Sequence, residues 1–561
     1  MKVRLNSGIN LIVIFFITTG FSLYAQNKSF AVDSLTTLID GESPPFNQVI
    51  PGDTLLLEFG TRDFILIRNI KGDASKPVII TNKGGVVRIN TDHYYGISIR
   101  NCVNIRLTGT GDSNHFYGFR IERVASGGGI GIGDESSDFE IDHISIENCH
   151  GVGIMAKTDP DCSFASTRGN FTQFNSIFHD NYIATVSYEG MYIGSTKYFG
   201  QQVHCTDKDT LLLPALLDGV KIYNNIIKYT GWDGIQVSSA SNNCNVFDNL
   251  ILFDSQDEFT YQMSGIMLGG GSKCDCYNNY ISQGKGTGIE NHGLGGNRIF
   301  NNIIIDAGRL YYPLDSTEKK HGIFVSDITM QEDSSVWILH NDIINPRSDG
   351  IRFSSLKSRN NLIASNLIIN PGNFDYYENG NTSFKGIDSY VMVTDQDIDL
   401  SLKNNFLSRT IDSAVVSPTD YSLLPESPLI DAGYTVTKGI LFDFYKNPRP
   451  YGSAPDIGAF EFNPETLGNP TVVKNTVSQP DIFPNPVRSW LIINFKADQG
   501  TEITCRLYTL QGNKIMQQEH TAETVGNQQI RMDVHSLAAG IYIVQLSSQT
   551  GSFSCKFIKV N

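Results

Sequence analysis

Between about residue 95 and residue 390 one pattern of polar and apolar positions keeps returning: an Asn, two or three apolar residues, a turn, and then a Gly that opens a short alternating strand. The Asn-led segments are Asp180-Asn181-Tyr182-Ile183, Asn225-Ile226-Ile227, Asn249-Leu250-Ile251, Asn279-Tyr280-Ile281, Asn302-Ile303-Ile304, Asn341-Asp342-Ile343 and Asn366-Leu367-Ile368. The strands that follow open at Gly190, Gly234, Gly265, Gly288, Gly322, Gly350 and Gly386. After Asn181, Asn225, Asn279 and Asn341 the Gly comes nine residues later; successive Asn lie 23, 24 or 25 residues apart, and spacings of 30, 39 and 44 mark coils with an inserted loop. A fixed period of short strands with no helical pattern is the mark of a solenoid. One coil alone cannot bury its apolar face, but coils stacked at about 4.8 Å make a continuous core. Asn suits the turn because it tolerates the left-handed conformation and because stacked amides can bond to one another. A β-sandwich would need two-residue hairpin turns, which are scarce. The pattern therefore predicts an all-β chain built as a parallel β-helix.

Three stretches resemble known families. Ile50-Pro51-Gly52-Asp53-Thr54-Leu55-Leu56-Leu57, followed by Pro77-Val78-Ile79-Ile80 and Gly84-Gly85-Val86, resembles the opening coils of the pectate-lyase-like superfamily of right-handed parallel β-helix proteins. That resemblance spans about residues 45 to 400 and implies the fold while leaving the reaction open. Ser427-Pro428-Leu429-Ile430-Asp431-Ala432-Gly433, Asn447-Pro448-Arg449-Pro450 and Pro455-Asp456-Ile457-Gly458-Ala459-Phe460-Glu461 resemble a closing segment of extracellular β-helix proteins. There Asp431, Arg449, Asp456 and Glu461 are read as a buried ion-pair and turn network that caps the last coil, since an open solenoid end must be covered. Pro484-Asn485-Pro486, Leu491-Ile492-Ile493, Leu510-Gln511-Gly512-Asn513-Lys514, Gly540-Ile541-Tyr542-Ile543 and the basic Lys556 and Lys559 resemble the type A C-terminal sorting domain of the type IX secretion system. This resemblance implies a small Ig-like β-sandwich, outer-membrane type IX secretion machinery as a partner, and removal of the domain after passage. The expected organisation is a signal peptide over 1–25, the right-handed parallel β-helix over 26–403, its closing segment over 404–463, a linker over 464–480 and the sorting domain over 481–561.

The N-terminus agrees with export. Lys2 and Arg4 precede an apolar run from Leu11 to Phe21, and Ser22-Leu23-Tyr24-Ala25 ends on a small residue before Gln26. That is the layout of a secretory signal peptide, with an apolar run too short to span a bilayer. The expected location is secreted or on the outer cell surface. The formal net charge is −15, and a leader carrying Lys2, Arg4 and no acid leaves −17 behind. Such a surface repels nucleic acid and anionic membranes, so neither is an expected partner. It also disfavours a polyanionic substrate unless Ca²⁺ or a local basic groove bridges the charges. A monomer is expected.

Nine cysteines leave at least one unpaired, and none forms a C-x-x-C pair or a Cys/His group at zinc spacing. Cys244 and Cys274 each lie five residues before a repeating Asn, so stacking brings them within disulfide reach; two stacked thiols are the alternative. Cys162 and Cys205 in inserted loops, and Cys505 and Cys555 in predicted strands of the sorting domain, are further candidate pairs.

In Gly-Ile-x-Val strands the apolar residues point inward and x points outward. The predicted outward ladder is Met155, Tyr192, Gln236, Met267, Glu290, Phe324 and Arg352, with Glu189, Asp233, Ser264, Thr287, His321 and Asp349 just before the glycines. Glu189 and Asp233 fall at equivalent positions one coil apart, beside Tyr188, Tyr192 and Trp232. Two carboxyls about 5 Å apart raise one pKa and prepare an acid beside a base, near the separation of a retaining glycosidase. The aromatic rings suit sugar faces. The bland alternative for Asp233 is a turn residue in an Asp-Gly pair, as at Asp349-Gly350. Glu189 and Asp233 are the candidate catalytic residues; Tyr188, Tyr192, Trp232, Gln236, Glu290 and His292 are the candidate substrate-binding residues. The insertion from Ser195 to Leu217 is expected to wall the groove. Asn291-His292-Gly293 lacks the Gly-His-Gly of polygalacturonases, and their paired aspartates are missing. Lys157, Arg352 and the acids Asp134, Glu135, Asp138, Asp159 and Asp161 form no recognisable lyase motif; the loop acids could hold Ca²⁺, with solvated acids as the alternative. The expected function is binding and cleavage of an extracellular polysaccharide by hydrolysis or elimination. The alternative is a non-catalytic adhesin or glycan-binding surface protein.

Overall fold

The computed structural model describes residues 27–206, 208–311, 319–372, 390–412, 415–417, 421–436, 439–462, 480–483, 485, 487–510, 512–548 and 551–559. The expected signal peptide, Gly386 and residues 464–479 of the expected linker lie outside them. From Val103 to Val393 each coil of the long domain holds at least three short strands. In one coil these are Cys244–Phe247, Leu250–Leu252 and Ser264–Leu268. They pair in parallel with Cys274–Tyr277, Tyr280–Ser282 and Thr287–Asn291 of the next coil. Repetition gives, among the described residues, a 23-stranded sheet from the first two strands of each coil and a 12-stranded sheet from the third. Alternation turns Val246, Ile251 and Ile266 inward, where they join Ile222, Ile227, Ile281 and Ile289 in one apolar column.

The turn between the first two strands carries the asparagines. Asn181, Asn225, Asn249, Asn279, Asn302, Asn341 and Asn366 stand in a single buried column that Asn405 extends. Each side-chain Nδ2 donates to the Oδ1 of the next Asn at 2.9–3.1 Å. Each backbone N–H donates to the same oxygen, also at 2.9–3.1 Å. The second Nδ2 hydrogen goes to a carbonyl of the preceding coil, as from Asn249 to Ile222 O at 2.9 Å. The left-handed residue is not the ladder Asn, as the sequence suggested, but the one before it: Asp180, Asn224, Asp248, Asn278, Asn301, His340, Ser365 and Asn404 have φ between 47° and 56°. The turn thus divides two tasks between neighbours, one residue supplying the bend and the next the hydrogen bonds.

Several coils are apolar on both faces of the sheet. In Asn302-Ile303-Ile304-Ile305, Ile304 points into the core while Ile303 and Ile305 pack with Ile344, Leu367, Leu429 and Phe460. The network expected of the closing residues forms here: Arg449 Nε meets Glu461 Oε1 at 2.9 Å, and Asp456 Oδ1 accepts the Asp431 N–H at 2.7 Å. Its place corrects the expectation of a cap on the last coil, because it lies along the flank of several coils. Ala459 N–H donates to Asp342 Oδ1 at 2.8 Å, Gly458 N–H to Ser365 O at 2.8 Å, and Asn301 Nδ2 to Phe442 O at 2.8 Å. The outward isoleucines of this flank require such a cover.

Beyond residue 480 the pairing becomes antiparallel. Asp481–Phe483, Trp490–Ala497 and Gly526–Asp533 form one sheet; Lys514–Thr521, Glu502–Thr509, Gly540–Ser548 and Gly551–Lys559 form another. The two enclose a separate core that includes Leu491, Ile493, Cys505, Ile530 and Phe557.

Two disulfides are present, Cys162–Cys205 and Cys244–Cys274, with Cα separations of 5.5 and 4.4 Å. The expected disulfide between Cys505 and Cys555 does not form. Cys505 pairs in register with Leu546 and Cys555 with Val544, so the strand Gly540–Ser548 lies between them. Two strand spacings, about 10 Å, exceed the reach of a disulfide.

Two outcomes test this architecture. Asn279→Ala removes a buried amide that neighbouring coils rely on and should lower stability by about 1–3 kcal/mol in chemical denaturation followed by circular dichroism, whereas the exposed Gln202→Ala should stay within about 0.5 kcal/mol. Thiol titration of the unfolded, unreduced protein should count five thiols, those of the cysteines outside the two disulfides.

Candidate functional site

The third strand of each coil presents its middle side chain outward, and parallel register lines these up. Met155 pairs with Tyr192, Tyr192 with Gln236, Gln236 with Met267, Met267 with Glu290, Glu290 with Phe324, and Phe324 with Arg352. Glu189, Asp233, Ser264, Thr287, His321 and Asp349 line one edge of this face, each at the start of its strand. At the opposite edge the hairpin Gln201–Cys205 and Lys208–Leu212 belongs to the inserted loop, which Cys162–Cys205 ties down. Tyr198 of that loop packs so closely on Gly271 that a Cβ there would lie 2.1 Å from the ring. The insertion therefore walls the side away from Glu189 and Asp233.

The two candidate acids are brought together under one side chain. With its amide nitrogen turned toward them, Gln262 donates to Glu189 Oε1 at 3.2 Å and to Asp233 Oδ2 at 2.9 Å. Asp233 has no accessible surface, and its Oδ1 accepts the N–H and the hydroxyl of Ser264, both at 2.7 Å. It ties one coil to the next, as a turn residue does, and it does not face an open groove. Glu189 retains 4% exposure. Burial raises the Glu189 carboxyl to about 7, against smaller opposing effects of its own backbone N–H and Lys157. Burial, with the charges of Glu290 and Glu189, pushes Asp233 well above the usual carboxylate range despite the Ser264 hydrogen bonds.

Glu290 behaves in the opposite sense. Burial would raise its pKa, but the hydrogen bond from His292, the His292 charge and Lys320 outweigh burial and hold it below the ordinary value. Glu290 Oε2 lies 3.1 Å from His292 Nε2, and His292 Nδ1 meets the Ser326 hydroxyl. Farther along, His321 Nδ1 and Arg352 Nη1 lie 3.2 and 3.3 Å from Asp349 Oδ2. Gln236 is buried in the ladder, and its Oε1 has no hydrogen-bond partner among the described residues.

Tyr188 and Trp232 stack with ring centroids 4.2 Å apart, and Phe259 continues the stack at 4.4 Å from Trp232. Tyr188 and Phe259 are 41% and 50% exposed, so the outer faces of the stack meet solvent. Tyr192 stands apart, with Lys157 Nζ 5.3 Å from its ring centre and Thr196 on its hydroxyl. Gln262, Phe259 and Lys320 escaped sequence reasoning. The first two ride on the loop that lengthens one coil to 30 residues; the excess length was visible, but not where its side chains would land.

The loop acids are dispersed. Asp134 pairs with Arg100, Asp159 with Lys157, Asp138 with Asn175, and Asp161 accepts from Ser163. Among the described residues, the carboxylate–histidine group with mutually close ligand atoms is Glu140, Asp142 and His179. Burial lowers the His179 pKa, yet Asp180 and Glu140 prevail and raise it to about 10; Arg106 also reaches both carboxylates, at 3.1 and 2.8 Å. Two side-chain cations already answer these acids.

The comparisons with known proteins bear on the fold and the export route. Residues 216–390 match the family described as right handed beta helix region, and residues 481–560 match the secretion system C-terminal sorting domain. Among solved structures, the chain is similar to pectate lyase Pel9A at 13% identity, covering 78% of this chain and 97% of that one with a TM-score of 0.40. It is also similar to the A-module of a mannuronan C-5 epimerase from Azotobacter vinelandii at 12% identity, covering 64% and 87% with a TM-score of 0.40. An alginate lyase from Paenibacillus matches at 13% identity, covering 59% and 99% with a TM-score of 0.36. No curated protein matches. The class is that of the right-handed parallel β-helix fold. Within it, this chain ends in a type IX sorting domain and is exported to the outer surface or the extracellular space.

Glu189 carries a stability signature. A carboxyl whose folded pKa is raised holds more protons folded than unfolded, so its stabilising contribution is complete below about pH 4.5 and declines as pH rises toward 7. Glu189→Gln should therefore raise the melting temperature more at pH 8 than at pH 4.5.

Proposed function

We propose that this exported protein binds an extracellular polysaccharide along the outward face of the 12-stranded sheet and cleaves it there. The observation that carries the reading is a pair of oppositely tuned acids on one face: a carboxyl at Glu189 that keeps its proton near neutrality, and an ionised Glu290 coupled to His292. Cleaving a glycosidic bond, by hydrolysis or elimination, needs a proton delivered to the leaving oxygen and a base to take one elsewhere. Glu189 is suited to the first task; Glu290 with His292, three coils or about 14 Å farther along the ladder, is placed to hold a neighbouring sugar unit. Asp233, without accessible surface, acts as a positioning residue: it holds the Gln262 amide that also donates to Glu189. Gln262 lies over both acids, so substrate reaches Glu189 by displacing that one amide. Tyr188, Trp232 and Phe259 offer a stacked aromatic edge to sugar rings, Tyr192 and Gln236 lie between them and Glu290, and Arg352 lies farther along the ladder.

The full burial of Asp233 and the near burial of Glu189 favour a second reading, a glycan-binding surface protein without catalysis. A polysaccharide panel separates the two: reducing ends alone mean hydrolysis, reducing ends with absorbance at about 235 nm mean elimination, and binding without either means a lectin-like role. For a cleaving protein, Glu189→Gln should lower kcat about 10²- to 10⁴-fold, whereas Glu290→Gln should raise KM. The rate should fall as pH rises through about 7, where Glu189 gives up its proton. A kcat that survives Glu189→Gln removes that residue from the chemistry.

A further inference from the structure

The sorting domain is seated on the β-helix by the very face that carries its recognisable motifs. Tyr508, Leu510 and Ile543, none more than 8% exposed, pack with Phe116, Tyr117, Tyr182, Ile226 and Leu250 of the helix. Polar contacts surround this patch. His115 bridges Asn513 in antiparallel fashion, and Arg120 donates to Asn513 Oδ1 at 3.3 Å. Lys514 Nζ donates to Asn114 Oδ1 at 3.3 Å, Lys556 Nζ to Asn225 O at 2.9 Å, and Tyr445 Oη to Asn485 O at 3.1 Å. Leu510, Asn513 and Lys514 belong to one motif, Ile543 to a second, Lys556 to the basic end and Asn485 to the Pro-Asn-Pro turn.

The helix is built to receive this face. Ile226 and Leu250 alternate with Ile227 and Ile251, which fill the core, so these coils are apolar on both sides of the sheet. A sheet that is apolar on both faces is one that is covered on both. The neighbouring coils, whose outward Ile303 and Leu367 are covered by the closing segment, follow the same rule.

We propose that this flank is the resting seat of the sorting domain, so that the folded β-helix masks the motif face and the secretion machinery engages the chain only after the domain has left the seat. A receptor cannot contact side chains this deeply covered, whereas the rim bonds exchange readily for water. The mask is therefore an apolar contact that opens as a unit.

Two full-length variants test it. In Ile226→Asp with Leu250→Asp the substituted side chains face outward and leave the core column intact, as the circular dichroism melt will check. Modification of the Tyr508 ring by a water-soluble tyrosine reagent, read by peptide mass spectrometry, should then accelerate at least tenfold relative to the native chain; unchanged protection overturns the proposal. His115→Cys with Asn513→Cys joins bridged residues whose Cα atoms lie within about 5.5 Å, inside disulfide range. In a cell with type IX machinery, this locked chain should be exported at least tenfold more slowly than the native chain, and a membrane-permeant reductant should restore the rate. Export of the oxidised, locked chain at the native rate overturns the proposal.

Discussion

An amide buried in a column holds its place only while the coils above and below it stay in register. From Asn181 to Asn366 every ladder amide gives one hydrogen to the next Asn and one to a carbonyl of the coil before it, and its oxygen accepts from its neighbour. Slipping one coil by a residue would leave a buried polar group unmatched at several levels, a cost of about 1–3 kcal/mol for each. It would also turn the apolar side chains of that coil outward. The ladder and the apolar column therefore enforce the same register, and the outward face inherits it. Tyr192, Gln236, Glu290 and Arg352 share a line because the asparagines on another side of the coil do.

The groove face uses this rigidity to hold acids at unlike pKa values. Glu189 and Asp233 sit where burial favours the proton, while Glu290 sits where His292 and Lys320 favour the charge. A flexible scaffold would let such groups relax toward water and lose the difference. On the lateral flank the same rigid coils expose apolar rows, and two other parts of the chain, the closing segment and the sorting domain, cover them.

Much of this was legible in the chain. Period, stacking and export were read from Asn spacing, Gly positions and terminal motifs, because repeating coils impose repeating chemistry. The outward ladder was readable for the same reason, since strand alternation fixes direction. The Cys244–Cys274 contact followed from register alone. What could not be read were events between coils. Gln262 reaches Glu189 and Asp233 from a loop whose path has no period, and the depth of Asp233 follows from Ser264 of the neighbouring coil. Cys505 and Cys555 misled because both lie in strands of one sheet, and only the order of strands reveals the one between them. The closing network was recognised by its residues but misplaced, since a short motif says what it binds to itself and not which surface it covers. One signal was present and unused: the doubled apolar residues in Ile226-Ile227 and Ile303-Ile304-Ile305 announce a sheet covered on both faces.

The central claim is that stacked coils make one continuous binding face along Tyr192, Gln236, Glu290 and Arg352. The most direct measurement is a crystal structure of the Glu189→Gln protein with an oligosaccharide that the protein binds. The account predicts sugar density lying along that face, across several coils, with a ring near Tyr188 or Phe259 and a glycosidic oxygen within reach of the side chain at position 189. Density confined to another flank of the helix, with this face empty, would contradict it.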